Sequence, residues 1–125
     1  MLDGKLLEVL EKEGVVTIVT WGASPEPNAV CTWNSYVKTT EDDRLLIPVA
    51  GMKTAQENLA LQEKLIIMLG SREVEGFNGY QGTGFEIKGT GIVKDSGAEF
   101  DMMKNEFSFM KRLLEVKVLS AKQLL

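Results

Sequence analysis

Histidine is missing from this chain of 125 residues, and cysteine occurs once, as Cys31. Without an imidazole, the Ser-His and Cys-His pairs that activate nucleophiles cannot form, and a zinc site would lack its usual nitrogen ligands. A single cysteine also excludes a disulfide within the chain, which is typical of proteins in the reducing cytoplasm. We therefore expect no metal site and no catalytic side chains. If the protein does chemistry, a bound organic cofactor is expected to supply it.

Long hydrophobic runs and an excess of positive charge are missing as well. No apolar stretch approaches the ~20 residues that cross a bilayer, and the N-terminal stretch is charged and amphipathic, unlike a signal peptide. Fourteen Lys and Arg residues stand against eighteen Asp and Glu residues, giving a net charge of −4. An extended nucleic-acid surface would need a basic stripe instead. The expectation is a cytoplasmic protein that binds neither nucleic acid nor a membrane.

The chain contains short β-branched or apolar stretches separated by Gly, Pro and acidic turns. Without repeats or linkers, it is expected to form one domain, residues 1–125. The predicted strands are 15–21, 29–37, 45–49, 65–69, 85–88 and 113–119. Helices are predicted after Asp3 as N-cap, from Lys53 or Thr54, and from Ala98 to Phe107. Because strands and helices do not alternate regularly, the pattern favours a mainly antiparallel barrel over a parallel α/β sheet.

The stretch from Leu45 to Leu61 has the features of a phosphate seat. An apolar strand is followed by a small-residue turn containing Gly51 and Met52, and Lys53 and Thr54 then begin a helix. The unpaired N–H groups and the dipole of a helix N-terminus attract anions, and Lys53 adds a full positive charge. The alternative interpretation is that Thr54 merely caps the helix and Lys53 is solvated.

Ser71 and Arg72 form a second polar cluster, also at the predicted end of a strand. They are expected to approach the same phosphate, where arginine can form bidentate hydrogen bonds that lysine cannot.

The segment CTWNSY mixes aromatic faces with hydrogen-bonding groups, as a platform for a flat heteroaromatic ring would. It comprises Cys31, Thr32, Trp33, Asn34, Ser35 and Tyr36. A flavin needs donors at its carbonyl oxygens and an acceptor at its imide N–H, and the hydroxyls and the amide of this segment offer both. Trp33 and Tyr36 can pack on or beside the ring. The alternative is that the two aromatic residues belong to the core, and Cys31 is interpreted as a small buried residue.

The glycine-rich segment from Gly76 to Gly84 contains Gly82 and Thr83. It is not a dinucleotide fingerprint, because a strand follows it where a helix is required. A plain surface hairpin is the stronger interpretation, and close approach of the backbone to a ligand is the other.

Three stretches, CTWNSY, IPVAGMKTAQENL and LGSREVEGFNGYQGTGFEIKG, resemble the small bacterial FMN-binding proteins. These are minimal members of the split-barrel flavoprotein group that includes pyridoxamine 5′-phosphate oxidase and some flavin reductases. The resemblance covers nearly the whole chain. It implies a six-stranded antiparallel split β-barrel with a few short helices, a homodimer, and FMN bound non-covalently at the dimer interface.

The resemblance also implies roles for individual residues. Thr32 is expected near the reactive edge of the flavin, with Trp33 and Tyr36 close enough to exchange electrons with it. The turn containing Gly51 and Met52 and the residues Lys53, Thr54, Ser71 and Arg72 match the phosphate region, and Gly82 and Thr83 lie beside the flavin. Glu13 matches an acidic residue near the ligand, Leu125 matches a leucine that covers the ring from the partner subunit, and Phe109 stands where a relative has tryptophan.

The favoured function is electron transfer through FMN, because the segment offers no acid–base pair for substrate chemistry. One alternative is an NAD(P)H-dependent flavin reductase or an oxidoreductase like pyridoxamine-phosphate oxidase. Another is a module that binds FMN without redox chemistry. A redox protein partner is a further expectation. The apolar pair Leu124 and Leu125 independently favours a dimer, because docking it over a neighbour's ring would bury both.

Overall fold

The computed structural model describes residues 2–125, so residue 1 of the predicted domain lies outside them. Within the described residues, one seven-stranded antiparallel sheet is accompanied by three α-helices. The elements are α1 (Gly4–Leu10), β1 (Val15–Thr20), β2 (Asn28–Trp33), β3 (Lys38–Thr39), β4 (Arg44–Val49), α2 (Lys53–Leu61), β5 (Lys64–Glu75), β6 (Gln81–Lys94), α3 (Ala98–Glu106) and β7 (Arg112–Gln123). Two 3₁₀ turns cover Asn34–Tyr36 and Phe77–Gly79.

The sheet is strongly curled, and its strand order gives the reason. The order is β2-β1-β5-β6-β7-β4-β3, so β2 and β3 form the two opposite edges. Laid flat, these edges would be about 29 Å apart, six strand spacings. Only residues 34–37 separate the two strands along the chain, and a connection of this length spans at most about 17 Å. The edges must therefore approach each other, which makes the sheet a half-closed barrel with its seam at residues 34–37.

The barrel interior is filled by inward-facing side chains of alternate strand positions. Examples are Ile18 in β1, Ile47 in β4 and Ile67 in β5, each no more than 1% exposed. Helix α1 closes one end by inserting Leu6 and Val9, both fully buried. Its N-cap is Asp3, whose carboxylate accepts from the Leu6 N–H at 2.9 Å, as predicted.

A second hydrophobic cluster lies outside the barrel, between α3 and the outer face of β4 and β7. It consists of Leu46, Met103, Phe107, Met110 and Leu113. Strand β4 is therefore buried on both faces, which explains why its sequence is a continuous apolar run.

The predicted mainly-β antiparallel architecture is confirmed, with one strand more than the six expected. The additional strand, β3, has only two residues, too few for a periodic pattern to reveal it. β2 ends at Trp33, not at Val37, because the chain must turn there to cross the seam.

The other strands differ mainly in length. β5 continues to Glu75 and β6 begins at Gln81, so the glycine-rich segment consists of a five-residue turn, 76–80, and the first four residues of β6, as the hairpin interpretation predicted. β7 also runs further than predicted, to Gln123. The longest α-helices of residues 2–125 have nine residues, and none is long and apolar enough to cross a membrane.

Candidate functional site

The predicted ring platform lies at the seam of the barrel, where successive side chains alternate between interior and surface. Thr32 is 8% exposed and faces inward, whereas Trp33 is 54% exposed. Ser35 is exposed on the 3₁₀ turn, and Tyr36 is half-buried. Trp33 is therefore a surface aromatic residue, so the interpretation that it belongs to the core is wrong.

Cys31 is exposed on the outer face of β2, and its sulfur lies 3.9 Å from the Thr17 hydroxyl of the neighbouring strand. The expectation that it is buried is therefore wrong. The reason is strand periodicity: Thr32 takes the inward position, which places both neighbours outside.

Asn34 uses the nitrogen of its side-chain amide within the protein, while its Oδ1 has no partner there. The residue is fully buried, and its Nδ2 donates to the carbonyl oxygens of Val9 (3.2 Å), Lys12 (3.1 Å) and Gly70 (3.1 Å). Its amide N–H groups thus join the end of α1 to β5 and are already used within the protein. They orient the surrounding backbone, while Trp33 and Ser35 face solvent on either side.

Three rings form an aromatic cluster beside the seam: Tyr36, Phe107 and Phe109. The centroid of the Tyr36 ring is 5.3 Å from that of Phe107 and 5.4 Å from that of Phe109, and the last two are 6.0 Å apart. All three pairs are tilted or edge-on, the geometry that aromatic quadrupoles favour. Phe109 remains 45% exposed, so the aromatic cluster presents an open apolar face.

The predicted phosphate seat adjoins this aromatic cluster. The connection from α3 to β7 carries Phe109, and two residues later the Lys111 N–H donates to the Val49 carbonyl at 2.8 Å. Val49 ends β4 and leads into the turn before α2. A contact of 2.8 Å therefore links the segment bearing Phe109 to the turn preceding Lys53.

The phosphate seat itself has the geometry of an open helix N-terminus. α2 begins at Lys53 with Met52 as N-cap, and no side chain bonds to the first-turn N–H groups. Lys53 and Thr54 are exposed. The part of the alternative in which Thr54 caps the helix is therefore wrong, while its other part, a solvent-exposed Lys53, agrees with the structure. A Cβ added at Gly51 would meet nothing within 4 Å, so space is open in front of the turn.

Sequence reasoning missed one basic residue here. Arg112, the first residue of β7, donates from Nη2 to the Gly51 carbonyl at 2.9 Å. The two residues are 61 positions apart, and only the β4–β7 pairing, Val49 with Arg112, brings them together.

A separate pocket of about 610 Å³, here called the tail pocket, lies around the C-terminal residues. The predicted site residues that line it are Glu13, Trp33, Ser71, Arg72, Gly82, Thr83 and Leu125. The Thr83 hydroxyl donates to the Leu125 carbonyl oxygen at 2.7 Å, and the Leu124 N–H donates to the Gly84 carbonyl at 2.8 Å. Leu124 and Leu125 therefore lie against β6 of their own chain.

A smaller pocket of about 400 Å³ adjoins the tail pocket. The two share Glu13, Gly14 and Trp33, and the smaller one is also lined by Asn34 and Ser35. The exposed indole of Trp33 thus stands between the tail pocket and the rest of the ring platform.

Ser71 and Arg72 do not join Lys53 and Thr54 in one chain, contrary to the expectation. Ser71 lies inside β5, not at its end, and pairs with Thr83 of β6. Met52, next to Lys53, lines a small cavity together with Val93. Val93 follows Thr83 by ten residues in β6, about 33 Å along the strand. The predicted phosphate residues therefore form two separate groups, and Ser71 uses its hydroxyl to accept from the Glu73 N–H at 3.1 Å.

The displaced pKa values among the described residues belong to a charged network that fastens α3 to the sheet. Arg44 of β4 forms two hydrogen bonds with the Glu99 carboxylate, at 2.7 and 2.8 Å, and one with Glu115 at 3.0 Å. The Arg44 hydrogen bond lowers the pKa of Glu99, and that of Asp42 falls to about 2 for the same reason. This network, the α3 clamp, holds the helix that carries Met103 beneath Phe107.

Comparison with known proteins finds relatives of this chain in sequence and in fold. The family model described as pyridoxamine 5′-phosphate oxidase matches residues 2–124. A protein named FMN-binding protein, from Nitratidesulfovibrio vulgaris (strain DSM 19637 / Miyazaki F), is 42% identical over 125 residues, covering all of both chains.

Solved structures with low identity share the fold. HupZ of Group A Streptococcus has a TM-score of 0.81 at 16% identity, with 99% of this chain and 94% of that chain covered. An FMN-binding protein from Syntrophomonas wolfei has a TM-score of 0.71 at 18% identity, with 88% and 76% covered.

Proposed function

Since the chain belongs to the pyridoxamine 5′-phosphate oxidase family, we propose that it binds FMN non-covalently and transfers electrons through it. The observation that carries this proposal is the aromatic cluster next to an open helix N-terminus, joined to it by the Lys111–Val49 hydrogen bond. A flavin ring and its phosphate need these two environments side by side. The full-length relative named FMN-binding protein supports the same ligand.

The phosphate would bind at the start of α2. The first-turn N–H groups have no side-chain cap, and the space before Gly51 is open. Lys53 and the Thr54 hydroxyl supply a charge and a further donor, the combination that favours a dianion at this position. Arg72 and Ser71 would act elsewhere, around the tail pocket.

The ring would lie by Thr32, Trp33 and Tyr36, with Phe109 at its side. FMN, when bound, takes up and releases one or two electrons. The aromatic side chains at this position would orient the ring and keep water from one face, and Thr32 would add a hydroxyl close to it. Beside the aromatic cluster, the Lys38 Nζ lies 5.6 Å from the centroid of the Phe107 ring and 2.9 Å from the Glu106 carboxylate.

We also propose that FMN lies at the interface of a homodimer in the cytoplasm. The aromatic cluster and the tail pocket are two separate surfaces of one chain, and each leaves large apolar side chains exposed. Examples are Trp33, Phe109 and Leu125, at 54%, 45% and 49%. Placing the tail pocket of one subunit over the aromatic cluster of the other would enclose the ring between them. A redox protein is the proposed electron donor or acceptor.

A second candidate function is flavin reduction by NADH or NADPH, and the tail pocket favours it. Its volume of about 610 Å³ is in the range of small-molecule sites, and Arg72 at its rim has no carboxylate partner among residues 2–125. An oxidoreductase acting on a phosphorylated substrate, as the family name suggests, would use the same pocket.

The test is to purify the protein, remove any bound flavin, and titrate it with FMN and with riboflavin by fluorescence quenching. We expect FMN to bind at least about tenfold more tightly, because only FMN uses the phosphate seat. Equal affinities would exclude that seat, and failure to bind either flavin would exclude the proposed function.

Stopped-flow reduction separates the remaining alternatives. Slow or absent reduction by NADH and NADPH, with fast reoxidation of chemically reduced protein by a one-electron protein acceptor, is expected for an electron carrier. Rapid reduction by either nucleotide would favour a flavin reductase. A bound FMN that cannot be reduced reversibly would indicate a module without redox chemistry.

A further inference from the structure

We propose that Arg112 is a positioning residue of the phosphate seat, holding the turn at Gly51 so that the first N–H groups of α2 face the phosphate. This inference rests on the proposed function of that seat. Arg112 contacts the turn through a hydrogen bond to the backbone carbonyl of Gly51.

Two contacts from the start of β7 hold the turn in place. Arg112 Nη2 donates to the Gly51 carbonyl at 2.9 Å, and the Lys111 N–H donates to the Val49 carbonyl at 2.8 Å. The pairing of Val49 with Arg112 extends the ladder between β4 and β7 as far as this turn. The end of β4 is therefore held by the Lys111 N–H, and the turn itself is held by the Arg112 side chain.

The turn needs such support because its backbone is strained and its outer side is empty. Met52 has φ 59° and ψ 40°, the left-handed conformation, which a residue with a Cβ adopts at a cost of roughly 1–2 kcal/mol. No side chain caps α2, and nothing lies within 4 Å of the position a Gly51 Cβ would take. Of these hydrogen bonds, the one from the Arg112 guanidinium is formed by a side chain. It fixes the Gly51 carbonyl, immediately before the strained residue Met52.

The charge of Arg112 adds to that of Lys53. None of the ion pairs within residues 2–125 includes Arg112 or Lys53. The Arg112 Nε is buried and has no hydrogen-bond partner. Arg112 thus has an unneutralised charge near a seat for a dianion, which favours phosphate over a neutral ligand.

A purely structural role makes a different prediction from a positioning role. If Arg112 only stabilises the fold, its loss lowers the unfolding temperature and weakens FMN and riboflavin equally. If it positions the phosphate turn, its loss weakens FMN while riboflavin, which lacks the phosphate, is bound as before.

The experiment measures the dissociation constants of FMN and riboflavin, and the unfolding temperature, for wild type, Arg112→Ala, Arg112→Lys and Lys111→Ala. For Arg112→Ala we expect FMN to bind roughly five- to thirtyfold more weakly, with riboflavin changed by less than about twofold. Arg112→Lys keeps the charge without the planar fork and is expected to lie between wild type and Arg112→Ala. It also serves as the informative variant if Arg112→Ala does not fold.

Lys111→Ala is the matched control, because it removes the same charge from the neighbouring position and leaves the backbone bond to Val49 intact. It is expected to retain most of the FMN preference. An equal loss in Lys111→Ala, an equal loss of FMN and riboflavin in both Arg112 variants, or an unchanged FMN preference in both would each overturn the inference.

The failures of the two proposals can be told apart. If wild-type protein shows no preference for FMN over riboflavin, the phosphate seat itself is wrong. If wild type shows the preference and the Arg112 variants keep it, the seat stands and only the role of Arg112 is wrong.

Discussion

Lys53 has the three properties that a phosphate ligand at a helix start needs. Its side chain is exposed, it occupies the first turn of α2, and it forms no ion pair among residues 2–125. The helix dipole acts on the same position, so the charge of Lys53 and the partial charges of the N–H groups add. Its substitution therefore tests the phosphate seat at a single residue.

We expect Lys53→Ala to weaken FMN binding by about 1.5–3 kcal/mol, because a charge-assisted hydrogen bond is lost. Riboflavin affinity should be unchanged. Fluorescence titration of both flavins measures the two values. Lys117→Ala is a suitable control, since Lys117 is exposed in β7. If Lys53→Ala binds FMN as tightly as wild type, either Arg112 supplies the positive charge at the phosphate seat or backbone N–H groups alone hold the phosphate.

For single residues, the sequence predicted the kind of site better than it predicted the partners of each side chain. The helix start at Lys53 and the polar and aromatic mixture around Trp33 were recognisable because they depend on neighbours in sequence. Local patterns do not show that Asn34 Nδ2 donates to backbone carbonyls of α1, of the turn after α1 and of β5, while its Oδ1 has no partner in the protein. Arg112 was missed for the same reason. Contacts between residues 61 positions apart follow from strand pairing, which local patterns do not specify.

Among the elements, α3 depends most on charge. It buries mainly Met103 against the sheet and has no side-chain N-cap, so few apolar contacts hold it. The α3 clamp compensates: Arg44, with 23% of its side chain exposed, bonds both oxygens of Glu99, and Lys94 lies 2.8 Å from Glu115. Bidentate geometry in a network makes such a pair stronger than an isolated surface salt bridge.

Acid should therefore weaken the attachment of α3. The pKa values of Asp42 and Glu99 are lower in the folded protein than in the unfolded chain, because Arg44 stabilises both carboxylates. Groups with depressed pKa values stabilise the fold fully above their unfolded values, near 4. This contribution is lost as pH falls from about 5 towards 2. We expect the unfolding temperature of wild type to fall over that range more than that of Arg44→Gln.

Thermal unfolding between pH 7 and pH 2.5 provides the measurement. The difference in unfolding temperature between wild type and Arg44→Gln should be greatest near neutral pH and shrink on acidification. Arg72→Gln, which removes an exposed arginine without a carboxylate partner in the described chain, should run parallel to wild type. Parallel curves for Arg44→Gln would mean that the α3 clamp contributes no pH-dependent stability.

The positions of the strands could be predicted from the sequence, and the residues at which they end could not. The continuous apolar run of β4 was recognisable because that strand is buried on both faces. β5 was cut short at the sequence Gly70-Ser71-Arg72, where small and charged residues resemble a turn. In the structure these residues continue the ladder with β6, since Ser71 takes an inward position and the strand bulges only after it.

In the molecule as a whole, the curled sheet exposes the residues proposed to bind flavin on two rims. The seam brings Tyr36 and the connection carrying Phe109 to one side, while the start of β6 brings Thr83 and the last two residues to another. A curled sheet of seven strands has no interior space for a three-ring cofactor, because its inner face is filled by the hydrophobic core. A second subunit is the simplest way to enclose a ring lying against the seam.

The C-terminal residues provide the test of that arrangement. Leu125 is anchored through its carbonyl by Thr83 and by Gln123 Nε2 at 2.8 Å, and a Cβ at Gly76 would lie 2.9 Å from that carbonyl. Both leucine side chains nevertheless remain exposed, at 40% for Leu124 and 49% for Leu125. A tail whose backbone is fixed and whose side chains are free is suited to covering a ligand held by a neighbouring subunit.

Deleting Leu124 and Leu125 should therefore expose the bound ring to water. We expect iodide to quench the excited flavin more strongly, as measured by fluorescence or transient absorbance. The reduction potential should also shift, because water would enter a dry site.

Mixed dimers identify which subunit supplies the cover. A truncated subunit with an intact phosphate seat is paired with a full-length Lys53→Ala subunit, so that FMN binds mainly at the truncated one. Shielding restored in this mixed dimer means that the partner's tail covers the ring. Shielding that stays lost means that each tail covers its own ring, and a potential and accessibility unchanged by truncation would mean that the tail covers no flavin at all.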